Sequence, residues 1–230
     1  MFTAGAILSR MEPTNSASSA DAQTAGSQAG KLAGDPPIQR LYVLTVLVLG
    51  FILRLLQARS YFLNPDEALH YLLACFNSLA LTYKATLTNA HPPLLTFLLH
   101  YWRGLGQSEL MLRLPSLLAG TACCWLMYLW LRRVTDRSTA FLGLILSACS
   151  PALIELSAEV RQYALLLGFM AACLYFSERA VCENSFLFMG LFSVSLYGAL
   201  LTHYSSFLFT FAMGVYMLVR LYPGRERAAA

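Results

Sequence analysis

In the stretch "FLNPDEALHYLLA", residues 62–74, two carboxylates stand side by side behind a proline, close to strongly apolar runs. Asp66 and Glu67 have two uses at such a place. "NP" ahead of them marks a turn and a helix start, and acidic residues favour a helix N-terminus, so both can be capping groups. A carboxylate at a membrane surface can also act as a base or orient a hydroxyl. Glu67 and His70, three apart, share a helix face. One Glu-x-x-His is weak evidence for metal, because two-metal bundles use two such motifs and further carboxylates.

Other polar groups recur at the edges of apolar runs. Arg113 in "LMLRLPS" and Arg54 in "FILRLLQAR" either snorkel to lipid headgroups or bind a phosphate, whose charge and geometry suit a guanidinium. "SPALIELSAEVRQYALLL" places Glu159, Arg161 and Tyr163 close together. An acid, a guanidinium and a phenol there either start a helix with ordinary end charges or clamp a phosphate and orient a sugar. His91 in "HPPLL" and His203 in "LLTHYSS" sit at turns, where a histidine is either structural or part of a polar site. His70, His91 and His203 show no recognisable metal-ligand spacing.

The elements that must carry these residues follow from composition. Of 230 residues, 57% are hydrophobic and 12% charged, half the charged share of about 25% in soluble domains. The chain reads as an all-α polytopic membrane protein with about six transmembrane helices, plus interfacial helices in the first outer loop. The expected spans are residues 38–59, 109–132, 138 to about 151, 161–178, 186–203 and 205–221. Residues 91–106 hold an apolar run of only about a dozen positions, which suits an interfacial or re-entrant helix. Residues 1–37, rich in Ala, Ser, Thr, Gly and Gln, read as a disordered cytoplasmic tail, and residues 223–230 as a second one. The net charge of +4 comes from arginines spread between apolar runs, which speaks for topology and against nucleic-acid binding. The six cysteines form no Cys-x-x-Cys pair and mostly lie within apolar runs, as small hydrophobes.

With six spans and the N-terminus inside, "RRVTDR", "ERAVCEN" and "RLYPGRER" face the cytoplasm, as the positive-inside rule asks. Asp66, Glu67, His91, Arg113, Glu155, Glu159, Arg161, Tyr163 and His203 then fall on or near the outer face. Polar groups converging at one side of a membrane are what a binding site needs.

In order, "PDEALHYLLA", "HPPLLTFLLHYWRGLGQSELMLRLPSLLAG", "RRVTDR", "SPALIELSAEVRQYALLL" and "THY" resemble the amino-terminal half of a GT-C glycosyltransferase. The closest groups are protein O-mannosyltransferases and the bacterial transferases that move aminoarabinose to lipid A. The resemblance spans about residues 54–206. It implies a membrane enzyme that moves a sugar from a polyprenyl-phosphate carrier to an acceptor hydroxyl outside the cytoplasm, generally with inversion. It implies Asp66 as the leading catalytic carboxylate and Glu67 as the second acid of the pair. Arg113 matches an arginine associated with the donor phosphate. Arg161 and Tyr163 match the family's Arg-x-Tyr pattern, although Gln162 stands where proline is expected in many relatives. His203 matches a recurrent His-Tyr.

On this reading Arg54, Arg113, Arg161 and Tyr163 form the donor-phosphate group, and Glu159, His91 and His203 are further site candidates. No cofactor is certain, and a divalent metal is left open. The partners are the lipid-linked sugar, a lipid, glycan or protein acceptor and membrane lipids, with no nucleic acid. The setting is a bacterial inner membrane with the site facing outward. Family members usually continue through more spans and often an outer soluble domain, so the transmembrane domain of residues 38–222 is expected to be incomplete, and activity of this chain alone is not implied. Two other readings stand beside this one. A transporter or flippase of lipid-linked sugar would show repeated halves and a midplane site, and no internal repeat is visible. A non-catalytic scaffold subunit is the third.

Overall fold

The computed structural model describes residues 37–89 and 91–221. The expected tails, apart from Pro37, lie outside the described residues. Among these residues the chain is all helical: α1 (Pro37–Arg59), α2 (Pro65–Ala74), α3 (Leu79–Thr86), α4 (Leu94–Trp102), α5 (Glu109–Val134), α6 (Arg137–Cys149), α7 (Pro151–Ala158), α8 (Gln162–Glu183), α9 (Phe186–Leu200) and α10 (Ser206–Leu221).

Helices α1, α5 and α8 are each long and apolar enough to cross a membrane. Helices α6 and α7 meet that test as a pair bent by 54°, and α9 and α10 are shorter apolar helices of 15 and 16 residues. The protein is an all-α membrane protein. Large apolar side chains on α1, α9 and α10, such as Leu44, Leu187 and Leu208, are exposed, as befits faces turned to lipid. Helix α4 spans nine residues, about 14 Å, too short to cross. It packs with α2 and α3 as a small cap. The N–H of Leu94, its first residue, donates to the Leu201 carbonyl at the α9–α10 turn (3.1 Å).

Local chemistry sets the boundaries. Asn64 caps α2 with a capping box, Pro65 occupies its first turn, and the Asp136 carboxylate caps α6 by accepting from the Thr139 N–H. Asn184, at φ 44°, ends α8 in the left-handed region that asparagine tolerates.

The break between α6 and α7 has a specific cause. Pro151 has no N–H to give the Ser147 carbonyl four residues back. Arg54 fills the gap. Its Nη2 reaches Ser147 O (3.3 Å) and its Nη1 Ala148 O (3.0 Å). The remaining donors go to Gly50 O, Ser157 Oγ and Cys124 Sγ. All five guanidinium N–H groups are thereby used. Gly120 makes room, since a Cβ there would overlap the Ser157 hydroxyl.

Arg54 is 1% exposed inside the bundle, and its donors are taken up at the helix break and by neighbouring groups. The segment between the expected spans ending near residue 151 and starting at residue 161 is mostly helix α7, and only residues 159–161 link α7 to α8. Proline starts a helix well because its missing N–H is one that the first turn leaves unbonded.

Candidate active site

The two adjacent acids have different fates. Glu67 is 1% exposed and makes a two-pronged pair with Arg113, with Nη2 to Oε2 at 2.8 Å and Nε to Oε1 at 3.0 Å. The Glu67 oxygens also accept the N–H groups of Val160 (2.7 Å) and Asn64 (3.0 Å). Burial pushes this carboxyl's pKa up, but Arg113 and the two backbone N–H groups outweigh burial and hold it below the ordinary value.

Arg113 gives its other donors to the carbonyls of Ala58, Tyr61 (2.8 Å) and Phe62 (3.1 Å). Its five N–H groups are thus committed as well, to Glu67 and to backbone carbonyls. Together Arg113 and Glu67 form a buried clasp that ties α5, the α1–α2 link and the α7–α8 link into one unit.

Asp66, one residue earlier, points the other way. Its side chain is 63% exposed, and its Oδ2 meets Arg161 Nη2 at 2.8 Å. Arg161 also approaches Glu159 Oε2 at 3.5 Å and lies over the Tyr163 ring at 5.3 Å. Its Nε is shielded from solvent and unbonded. Both members of the Asp66–Arg161 pair are positioned by Glu67: Asp66 through the cap at Asn64, Arg161 through the N–H of the preceding Val160.

A row of rings extends from this pair. Tyr163 and His203 are 5.7 Å apart, His203 and His91 5.1 Å, and His91 and His70 6.1 Å, all between centroids. The Ser205 N–H donates to His203 Nδ1 (3.0 Å), which assigns the ring hydrogen of a neutral imidazole to Nε2. His70 is buried, and burial lowers its pKa, helped by the nearby His91 and Arg161 and opposed by Asp66. His91 is lowered for the same first reason, with His203 and Arg161 assisting and Asp66 opposing. Both imidazoles are therefore neutral at pH 7.

Asp66, Glu67, His91, Arg113, Glu159, Arg161, Tyr163 and His203 thus gather at one end of the bundle, and Arg54 does not join them. His70 completes the row of rings, and its position one helical turn after Glu67 is the signal for it. Among the described residues, no group of three or more His, Cys, Asp or Glu side chains is arranged to hold a metal ion.

A family model described as dolichyl-phosphate-mannose-protein mannosyltransferase matches residues 90–226. That is more than half of the chain, and the chain belongs to this family of membrane glycosyltransferases. No curated protein and no solved structure matches it. The matched segment contains His91, Arg113, Glu159, Arg161, Tyr163 and His203, and begins after Asp66 and Glu67.

Proposed function

We propose that this chain moves a sugar from a polyprenyl-phosphate carrier to an acceptor hydroxyl at the non-cytoplasmic membrane face, with Asp66 as the base. The observation that carries this is the exposed Asp66 carboxylate held opposite Arg161 above the buried Glu67–Arg113 clasp. The clasp fixes the backbone on both sides, while the surface pair above it is worth about 1 kcal/mol or less and exchanges readily for substrate.

In the reaction, Arg161 turns from Asp66 to the carrier phosphate, supported by Tyr163. Asp66, freed, accepts the proton of the acceptor hydroxyl. The acceptor oxygen bonds to the sugar's anomeric carbon from the face opposite the carrier, which inverts the configuration. The carbon–oxygen bond to phosphate breaks, and its electron pair stays on the phosphate. That growing charge is what Arg161 stabilises. A phosphate leaving group needs little acid assistance, so one carboxylate suffices.

The outward orientation is supported by charge. Arg133 and Arg179, paired with Glu183, and Arg220 lie on helix ends remote from Asp66. The positive-inside rule assigns that end to the cytoplasm.

The experiment offers membranes carrying the full-length protein a radiolabelled polyprenyl-phosphate sugar. Asp66→Asn is expected to abolish transfer, and equal transfer by both proteins removes Asp66 from the chemistry.

A further inference from the structure

We propose that two adjoining cavities between the C-terminal end of α1 and α7 bind the hydroxyl-bearing head and apolar stem of an amphiphile that carries no negative charge. The first cavity, of about 330 Å³, is lined by Gln57, Tyr61, Glu155 and Glu159, with the Glu67–Arg113 clasp contributing to its wall. The second, of about 370 Å³, shares Gln57 and Glu155 and adds Leu53, Leu56, Pro151 and Ile154. Each volume falls at the lower end of the roughly 300–1,000 Å³ typical of small-ligand sites.

Charge decides the class of head. Arg113 lines the first cavity, but its charge is matched by Glu67 and its donors are used. Arg161 is shared between Asp66 and Glu159. Glu155 is exposed and has no hydrogen bond or ion pair among the described residues. Among the residues that line the cavities, Arg113 is already matched by Glu67, so Glu155 and Glu159 leave an excess of negative charge there that repels a phosphate. The carboxylates and the Gln57 amide instead suit hydroxyl groups, which can donate to the former and exchange hydrogen bonds with the latter.

The walls decide the stem. Leu53 and Leu56 belong to α1, long and apolar enough to cross a membrane, and Ile154 to the bent α6–α7 pair that meets the same test, so the second cavity offers an apolar surface beside the polar one. A ligand filling both has a polar head and an aliphatic stem. Glu159, through Arg161, links the first cavity to Asp66. That the occupant is the sugar acceptor rests on the function proposed above. The phosphate of a donor would then approach Arg161 from the other side.

The test uses the protein in lipid nanodiscs with two photoreactive probes of identical diazirine-bearing octyl stem, one an octyl glucoside and the other an octyl phosphate. The glucoside is expected to label peptides containing residues 53–61 and 151–159 about tenfold more than the phosphate, a difference of about 1.4 kcal/mol. Glu155→Lys, a change at an exposed and unbonded side chain, is expected to raise phosphate labelling of the same peptides. Equal labelling by both heads reduces the cavities to lipid-facing surface and overturns the proposal, as does a preference for phosphate in the unmodified protein or no labelling at all. Labelling requires no transfer, so Asp66→Asn is expected to label like wild type. Loss of transfer and loss of labelling therefore report on separate claims.

Discussion

Glu67→Gln removes one charge from the clasp and keeps its size. In the wild type each Glu67 oxygen accepts two hydrogen bonds, one from Arg113 and one from a backbone N–H. A glutamine can offer only one oxygen. Its NH2 must face either Arg113 Nε and the Val160 N–H or Arg113 Nη2 and the Asn64 N–H, and donor meets donor in both cases. Arg113, 2% exposed, is left as a buried cation without its partner. Breaking a buried pair in this way costs about 3–5 kcal/mol. Unfolding of the nanodisc-embedded protein measures the total. Amide exchange at Val160 and Asn64 reads the site itself, and both are expected to lose protection. In the double variant with Arg113→Met, the two losses are expected to fall short of their sum by about 2–3 kcal/mol, because the second change removes the stranded charge. A cost below about 0.5 kcal/mol for Glu67→Gln, or additive losses, refutes the idea that the clasp holds the site together. The lowered pKa of Glu67 adds a sign. Stability from the clasp is present above the ordinary glutamate pKa and is lost as pH falls through the lowered folded value, so acid unfolding is expected below about pH 4 and is expected to flatten in Glu67→Gln.

Other expectations follow from the same geometry. Burial, helped by His91 and Arg161 and opposed by Asp66, lowers the pKa of His70, so as pH falls below the ordinary value of about 6.5 the unfolded chain takes up the proton first and stability declines. His70→Asn is expected to weaken the dependence of stability on pH below about 6.5, read by melting at several pH values. Arg54→Met leaves the Ser147 and Ala148 carbonyls without the donors that Pro151 forced them to find, at an expected cost of about 1.5–3 kcal/mol in the unfolding assay. Gly120→Ala pushes a methyl into Ser157 and is expected to cost about 1–3 kcal/mol in the same assay. Cysteines placed at Ser60 and Ser138 are expected to react with a membrane-impermeant thiol reagent from outside and inside, respectively, and the opposite pattern reverses the topology.

The helical membrane architecture was legible because hydropathy reports burial in lipid directly. Residues 91–106 were readable as non-spanning for the same reason: α4 is too short. The division of labour between Asp66 and Glu67 was not legible. Both acids fit a helix N-terminus, and only the approach of Val160 and Arg113 from distant segments selects Glu67 for the interior. The three arginines show the same limit. A guanidinium near a span end can meet a phosphate or a set of carbonyls, and the sequence alone does not reveal which carbonyls lack partners. For Arg54 the answer lay in Pro151, nearly a hundred residues away, whose missing N–H creates the acceptor that Arg54 meets. For Arg113 it lay in the turn carbonyls between α1 and α2. Arg161 keeps a surface pairing because its neighbour Val160, not its own side chain, is held by the clasp.

The most direct measurement compares wild type and Asp66→Asn for both binding of a polyprenyl-phosphate mannose and transfer of its sugar. The account predicts carrier binding within a few-fold of wild type, because the pair with Arg161 is exposed and weak, together with a loss of transfer of about 10²–10⁴-fold. Transfer by Asp66→Asn at the wild-type rate contradicts it.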